Sequence, residues 1–386
     1  MSGERLFSPL QLGNVKLGHR IVMAPLTRFR ADDDGVPMEF VPLYYAQRAS
    51  TPGTLLITEA TLISPRASGV ANVPGIWSSK HIAAWKKVTD AVHEKKCFIF
   101  LQLWALGRRA DPDLLQRAEG GPYPLVSASA VPLSKDAPVP RALSHEEIQM
   151  FIDDYAAAAR NAMAARFDGV EIHGANGYLP DQFLQDVCNR RTDDYGGSIE
   201  NRARFPLQVT KELIAAVGDN KRVAIRLSPW TDFDGQRMAD PVPQFSHLIS
   251  ELKKLDLAYL HLVESRYAGD VANASYHVLT RRNDPFIQLW GSEAPIILAG
   301  GFTAETAKKA TDEVYTNSNL CVAFGRFYIS TPDLPYRLVE GLPLNPYHRE
   351  SFYLKMSPAG YTDYPCSPEY MAAQHADMSG GVTALV

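Results

Sequence analysis

The sequence predicts an α/β protein built as one (β/α)8 barrel, and three observations predict it. Eight short apolar runs recur along the 386 residues: Ile21 to Ala24, Leu55 to Thr58, Phe98 to Leu103, Gly169 to His173, Val223 to Leu227, Tyr259 to Val263, Ile296 to Ala299 and Cys321 to Phe324. Each is four to six residues long and apolar without alternation, as expected of strands covered on both faces in a parallel sheet. Helical stripes lie between them, such as Ile82, Trp85, Val88 and Val92, or Ile148, Phe151, Ile152 and Tyr155. Successive strand starts are about 34, 43, 71, 54, 36, 37 and 25 residues apart, which is strand, helix and loop repeated eight times without a sequence repeat. A doubly wound open sheet is the rival, but it would usually carry GxGxxG after an early strand, and none is present.

The remaining elements follow in chain order. Leu6 to Leu17 reads as a hairpin plugging the N-terminal end of the barrel. The connection after the third strand, Ala105 to Leu143, holds six prolines and three glycines, too many breakers for one regular element, and is expected to lie over the C-terminal mouth. Ser144 and Glu147 have the spacing of a capping box, and Thr303 is placed to cap the helix after Gly300-Gly301. Pro206 predicts a kink or restart within Ser198 to Val217, and Gly218 a helix end. One domain is expected over residues 1–371, with 372–386 a mobile tail.

Composition narrows the function. With 46% hydrophobic and 21% charged residues the chain can bury a large core, and a net charge of −4 lacks the basic excess that nucleic acid or an anionic membrane would require. No stretch reaches the roughly 18 apolar residues of a membrane span, and the N-terminus MSGERLFSPL has no basic-then-apolar leader. Cys97, Cys188, Cys321 and Cys366 are 91, 133 and 45 residues apart, so no CxxC pair is available, and Cys97 and Cys321 read as core thiols. A reducing, cytoplasmic location is expected.

Two constellations carry chemistry. The fourth strand runs into Val170-Glu171-Ile172-His173-Gly174-Ala175-Asn176-Gly177-Tyr178, which a barrel places at its mouth. His173 and Asn176 offer N–H donors to one oxygen and Tyr178 a neutral proton, a set suited to a developing enolate. The bland alternative is a histidine satisfied by backbone, an Asn-Gly turn and a partly buried tyrosine. Metal binding is disfavoured because His173 has no second ligand in usual spacing, with Glu171 expected on the other face of the strand. The second constellation closes strands seven and eight with Ala299-Gly300-Gly301 and Gly325-Arg326, where barrels commonly bind phosphate, implying a phosphorylated cofactor. Thr27, Gln102, Trp104 and Arg226 stand at other strand ends. Each alone is explained by packing or internal hydrogen bonds, and their shared location is the argument.

The runs MAPLTRFRA (Met23 to Ala31), QLW (Gln102 to Trp104), HGANGYLPDQF (His173 to Phe183), NRRTDDYGGSIENRARF (Asn189 to Phe205), RLSP (Arg226 to Pro229), AGGF (Ala299 to Phe302) and GRFYISTPDLP (Gly325 to Pro335) resemble the Old Yellow Enzyme family, in family order from Leu6 to about Tyr370. The resemblance implies a (β/α)8 barrel with non-covalent FMN, reduced by NADPH, that reduces the C=C bond of a small enone or enal by hydride transfer from flavin N5 to the β-carbon. It implies that His173 and Asn176 bind the substrate carbonyl, that Tyr178 protonates the α-carbon and that Trp104 shapes the cavity. It also implies cofactor contacts from Pro25, Leu26, Thr27 and Ala60, with Gln102 at the pyrimidine edge and Arg226 facing N1 and O2. Ala299, Gly300, Gly301, Gly325 and Arg326 would take the phosphate end, and Phe352 and Tyr353 the dimethylbenzene edge. Monomer and homodimer are both open.

Two departures bear on this. Thr27 stands where a sister group has cysteine, and Ala60 stands where many relatives have glycine, which alters packing beneath the flavin. The stretches Gly35 to Thr61 and Lys95 to Arg108 look more like filamentous-fungal members, among them ergot-alkaloid aldehyde reductases, some of which replace the tyrosine by phenylalanine and isomerise. Tyr178 favours reduction. The segment Glu264 to Pro285 resembles neither group. The rivals are a phosphate-binding barrel aldolase or isomerase, for which neither a Schiff-base lysine nor a metal cluster is evident, and a flavin-binding protein without turnover.

Overall fold

Eight parallel strands close on themselves: β1 (Ile21–Met23), β2 (Leu55–Ile57), β3 (Phe98–Trp104), β4 (Gly169–Gly174), β5 (Val223–Leu227), β6 (Tyr259–Val263), β7 (Ile296–Ala299) and β8 (Leu320–Phe324), with β8 pairing back onto β1. The structure is a computed structural model that describes residues 5–232, 237–265 and 282–380. The barrel helices are α1 (Val41–Arg48), α2 (Ser79–His93), α3 (His145–Ala164), α4 (Ile199–Val217), α5 (Val242–Lys253), α6 (Asp284–Trp290), α7 (Ala304–Lys309) and α8 (Leu334–Glu340). Every expected strand is present, and β5, β6 and β7 have the expected bounds.

Alternation along the strands sorts the apolar residues into two cores. Val22, Leu55, Ile57, Phe100, Ala224, Tyr259, Ile297, Cys321 and Ala323 point into the barrel and cluster together. Their odd neighbours, including Ile21, Leu56, Ile99, Leu101, Val170, Ile172, Ile225, Leu260 and Leu298, meet the helices. Strands buried on both faces therefore read as unbroken apolar runs. Burial pushes the Cys97 thiol up to about 11 and Cys321 up to about 12, so both are inert core thiols at neutral pH.

Leu10–Leu12 and Val15–Leu17 form the expected antiparallel hairpin, and their side chains join the inner core. Its turn depends on Gly13, at φ +52°, where an added Cβ would lie 2.2 Å from the Lys221 carbonyl oxygen just before β5. Capping boxes close the N-termini of α2 (Ser78), α3 (Ser144 with Glu147) and α7 (Thr303). Gly218 ends α4 in the left-handed conformation. Of the kink or restart expected at Pro206, the restart does not occur: Ile199–Val217 is one continuous helix. Burial of Ala203, Phe205, Pro206 and Val209 holds it through the missing backbone bond, and Thr210 Oγ1 donates to the Pro206 carbonyl at 2.7 Å.

The insertion after β3 folds into a short helix, Pro112–Arg117, and a small parallel pair, Val126–Ser127 with Arg141–Ala142. Its Leu106, Ala110 and Leu115 pack with Trp104 and Tyr178 at the mouth. The boundary expected at Met371 falls inside a last helix, Pro368–Gly380, and residues 381–386 lie outside the described residues. No helix among the described residues is long and apolar enough to cross a membrane.

Replacing Gly13 by alanine should destabilise the protein by about 1–3 kcal/mol, because a Cβ there meets backbone in a strained conformation. A denaturation midpoint equal to wild type would show that the hairpin turn is not so constrained.

Candidate active site

Above the inner core the barrel interior turns polar. β4 ends in Gly174, and Asn176 (φ +58°) and Gly177 (φ +77°) turn the chain sharply into the short helix Leu179–Leu184. Ser228 Oγ accepts from Asn176 N at 2.8 Å, and Asp181 Oδ2 accepts from Gly177 N at 2.8 Å. Gln182 uses its whole amide: Nε2 donates to the Gly177 and Leu106 carbonyls, and Oε1 accepts from Arg108 N and Ser127 Oγ. The turn bearing Asn176 and Tyr178 is thereby fastened to the insertion after β3.

This scaffold brings Trp104, His173 and Tyr178 together. The Tyr178 ring lies 4.9 Å from Trp104 and 4.7 Å from His173, edge-on to both. The guanidinium carbon of Arg109 lies 5.2 Å from the Tyr178 ring centroid. Burial, reinforced by Arg226, His261 and Arg109, pushes His173 well below its ordinary pKa, so it is neutral at pH 7. His173 Nδ1, Asn176 Oδ1 and Trp104 Nε1 are buried with no hydrogen-bond partner among the described residues. Leaving such groups unpaired costs about 1–3 kcal/mol each, a cost that a bound polar ligand removes.

Below them Gln102, Glu171 and His261 are linked across three strands. Gln102 Nε2 donates to Glu171 Oε1 at 2.7 Å, and His261 Nδ1 meets Glu171 Oε2 at 2.8 Å. Glu171 therefore shares the inward face with His173, against the expectation that it points away, because residues two apart on a strand lie on the same side. Burial favours the neutral form of Glu171, but His261, Arg226 and the bond from Gln102 outweigh it and hold the carboxyl below its usual range. Burial lowers the His261 pKa despite the carboxylate, so the pair is a carboxylate accepting from a neutral imidazole. Arg226 is in register with both His173 and His261.

The other expected cofactor residues ring the mouth. Pro25, Leu26 and Thr27 follow β1, half-buried, and Ala60 is buried beside Trp104 after β2. Gly300 (φ +149°) and Gly301 (φ +71°) follow Ala299, and a Cβ on Gly301 would meet nothing within 4 Å. Gly325 lies beside Leu26 on the adjacent strand end, and the Arg326 guanidinium stacks 5.6 Å from the Tyr347 ring centroid. Phe352 is buried and Tyr353 exposed, the latter 5.6 Å from Phe29. Their segment is tied down by two buried arginines. Arg28 donates to the Phe352 and Gly360 carbonyls, and Arg30 to those of Ser351, Phe352, Ser357 and Ala359.

The barrel, its polar inner mouth and the open backbone at the ends of β7 and β8 define a class of flavin-binding barrel oxidoreductase. A profile of the NADH:flavin oxidoreductase / NADH oxidase family matches residues 5–345, and the chain belongs to that family. It is 56% identical over 372 residues to chanoclavine-I aldehyde reductase fgaOx3 of Penicillium roqueforti (strain FM164), covering 96% of this chain and 99% of the relative. It is 53% identical to the probable inactive reductase easA of Epichloe festucae var. lolii, over 96% and 97% of the two chains. Among solved structures, Old Yellow Enzyme from Pichia sp. AKU4542 superposes with a TM-score of 0.85 at 38% identity, covering 94% of each chain. The expected membership in the Old Yellow Enzymes, of filamentous-fungal type, is borne out, and with it FMN as cofactor and NADPH as reductant. The residues present fit FMN. Orphaned buried polar atoms face the mouth, and unobstructed glycine backbone lies beside a guanidinium that pairs with no carboxylate among the described residues.

Sequence reasoning missed Glu171, His261, Asp181 and Gln182. The two-residue period would have placed Glu171 with His173, whereas the other three depend on barrel closure or on the tight turn. The divergent segment Glu264 to Pro285 falls largely outside the described residues.

Asp181 yields a pH prediction. Burial, opposed by bonds from Gln185 and Gly177 and by Arg108, pushes its carboxyl up to about 6. The folded state thus holds a proton that the unfolded chain releases near pH 3.9, so the stability contributed is complete below about 4 and lost as pH rises through about 6. Asp181→Asn should flatten this part of the decline. Parallel urea midpoints for wild type and variant across pH 4–7 would exclude the assignment.

Proposed function

We propose that this protein is an FMN-dependent, NADPH-driven reductase of the C=C bond of small α,β-unsaturated carbonyl compounds. The observation that carries the reading is the pairing of unpartnered His173 and Asn176 polar atoms with the Tyr178 hydroxyl-bearing ring at one mouth. FMN, when bound, supplies the hydride for the β-carbon.

The chain's own residues do the rest. Neutral His173 has one N–H to donate, and neither end of the Asn176 side-chain amide bonds to a described residue. Both are suited to donate to a substrate carbonyl oxygen, drawing electron density from the conjugated carbons and stabilising the enolate as it forms. Tyr178 carries a phenolic O–H and is suited to protonate the α-carbon. Trp104 walls the cavity, edge-on to Tyr178, and helps exclude water. For the cofactor, Pro25, Leu26, Thr27 and Ala60 would line one side, and Gln102 and Arg226 would meet the pyrimidine. Ala299, Gly300, Gly301, Gly325 and Arg326 would take the phosphate, while Phe352 and Tyr353 would cover the outer ring edge.

A more specific substrate is favoured by one observation, the 56% identity to chanoclavine-I aldehyde reductase along nearly the whole chain. We therefore take an unsaturated aldehyde of fungal secondary metabolism as the preferred substrate class. Tyr178 favours net reduction over isomerisation. The four unpaired cysteines suit a reducing, cytoplasmic location.

Tyr178→Phe should slow enal or enone turnover by about 10²–10⁴-fold while leaving flavin reduction by NADPH nearly intact in stopped-flow absorbance. Equal loss of both half-reactions would remove Tyr178 from its role. Replacing His173 or Asn176 by alanine should each cost about 2.7–4 kcal/mol of transition-state stabilisation, read from kcat/KM.

A further inference from the structure

We propose that Glu171 and His261 are positioning residues that lock the side-chain amide of Gln102 in one orientation, so that the barrel offers its cofactor a hydrogen-bond acceptor at Gln102 and a donor at Arg226. The inference deepens the placement of Gln102 at the pyrimidine edge of FMN and rests on it.

The argument follows the protons. Glu171 is fully buried on β4, between Gln102 on β3 and His261 on β6. Strand β5 separates β4 from β6, so the 2.8 Å contact between Glu171 and His261 exists only because both side chains converge inside the closed barrel. An ionised carboxylate accepts and cannot donate. Both of its contacts must therefore present protons: His261 through Nδ1–H, and Gln102 through its NH2. The orientation of a glutamine amide is ordinarily ambiguous, and here the carboxylate decides it.

Two consequences follow. With Nε2 turned to Glu171, Oε1 is the end of the amide turned away from the carboxylate, and no described residue donates to that oxygen. Arg226, on the inward face of β5, can only donate. The floor of the mouth therefore reads acceptor, then donor. A pyrimidine-dione edge reads N–H, then carbonyl, and is its complement. His261, neutral and wholly buried, holds the carboxylate through Nδ1.

The polarity is testable by binding alone. The full-length chain freed of flavin is titrated with FMN and with FMN methylated at N3, which has no N–H to give. Wild type should prefer FMN by on the order of tenfold, the worth of one neutral hydrogen bond. Glu171→Gln, whose own amide accepts either orientation of Gln102, should bring that ratio towards one. His261→Asn, which retains a donor at the position of Nδ1, should keep the wild-type ratio, and His261→Leu should reduce it. The His261 pair carries the test if the Glu171 variant does not fold.

An unchanged ratio in Glu171→Gln or His261→Leu, or no preference in wild type, overturns the lock. Gln102→Leu separates the two levels of the reading. If it weakens FMN binding while Glu171→Gln keeps the wild-type ratio, only the lock falls. If it leaves FMN affinity untouched, the placement of the pyrimidine edge at Gln102 falls with it.

Discussion

The two-residue alternation of a closed parallel barrel is the constraint on which everything else here depends. Because the sheet has no edge, every second side chain is committed to one enclosed interior, and what that interior contains changes along the strands. At the lower end it is hydrocarbon, sealed by the Leu10–Leu17 hairpin. At the upper end Gln102, Glu171, His173, Arg226 and His261 take the same inward positions, two residues further on where they share a strand with the apolar core. Burying five polar groups in one cluster is tolerable only if their charges are matched. One carboxylate, one guanidinium and two imidazoles held neutral by desolvation satisfy that condition.

The layering divides labour. Residues on strands, held by ladder hydrogen bonds on both sides, face the floor of the mouth and have little freedom to move. The groups above them come from turns and need separate fastening, which Asp181 and Gln182 supply by capturing Gly177, Leu106 and Arg108. Asn176 and Gly177 sit in the left-handed region, a local cost of the sharp turn that aims Tyr178 back towards Trp104 and His173.

What was legible in the sequence is what depends on short-range pattern. The strands, the N-caps of α3 and α7, the hairpin and the turn after β4 each announce themselves within a dozen residues. Pro206 does not restart the helix because its local penalty is small beside the burial of α4 against its neighbours. The link between Glu171 and His261 spans 90 residues of chain and a strand of sheet, and only closure of the barrel creates it. Nothing in the run MAPLTRFRA marks Arg28 and Arg30 as buried. They are among the most deeply buried side chains, satisfied by carbonyls more than 320 residues away.

Those two arginines also impose an order on biosynthesis. Their partners lie between Ser351 and Gly360, more than 320 residues further along the chain, so the arginines leave the ribosome long before them. Until residues 351–360 have emerged, two cations stand in the wall of a half-made barrel with their carbonyl acceptors still unsynthesised, and Phe352 has not reached its place. The nascent chain can lay down strands in sequence, but the rim of the mouth is completed last, by the same segment that neutralises the hydrogen-bonding demand left open at the start.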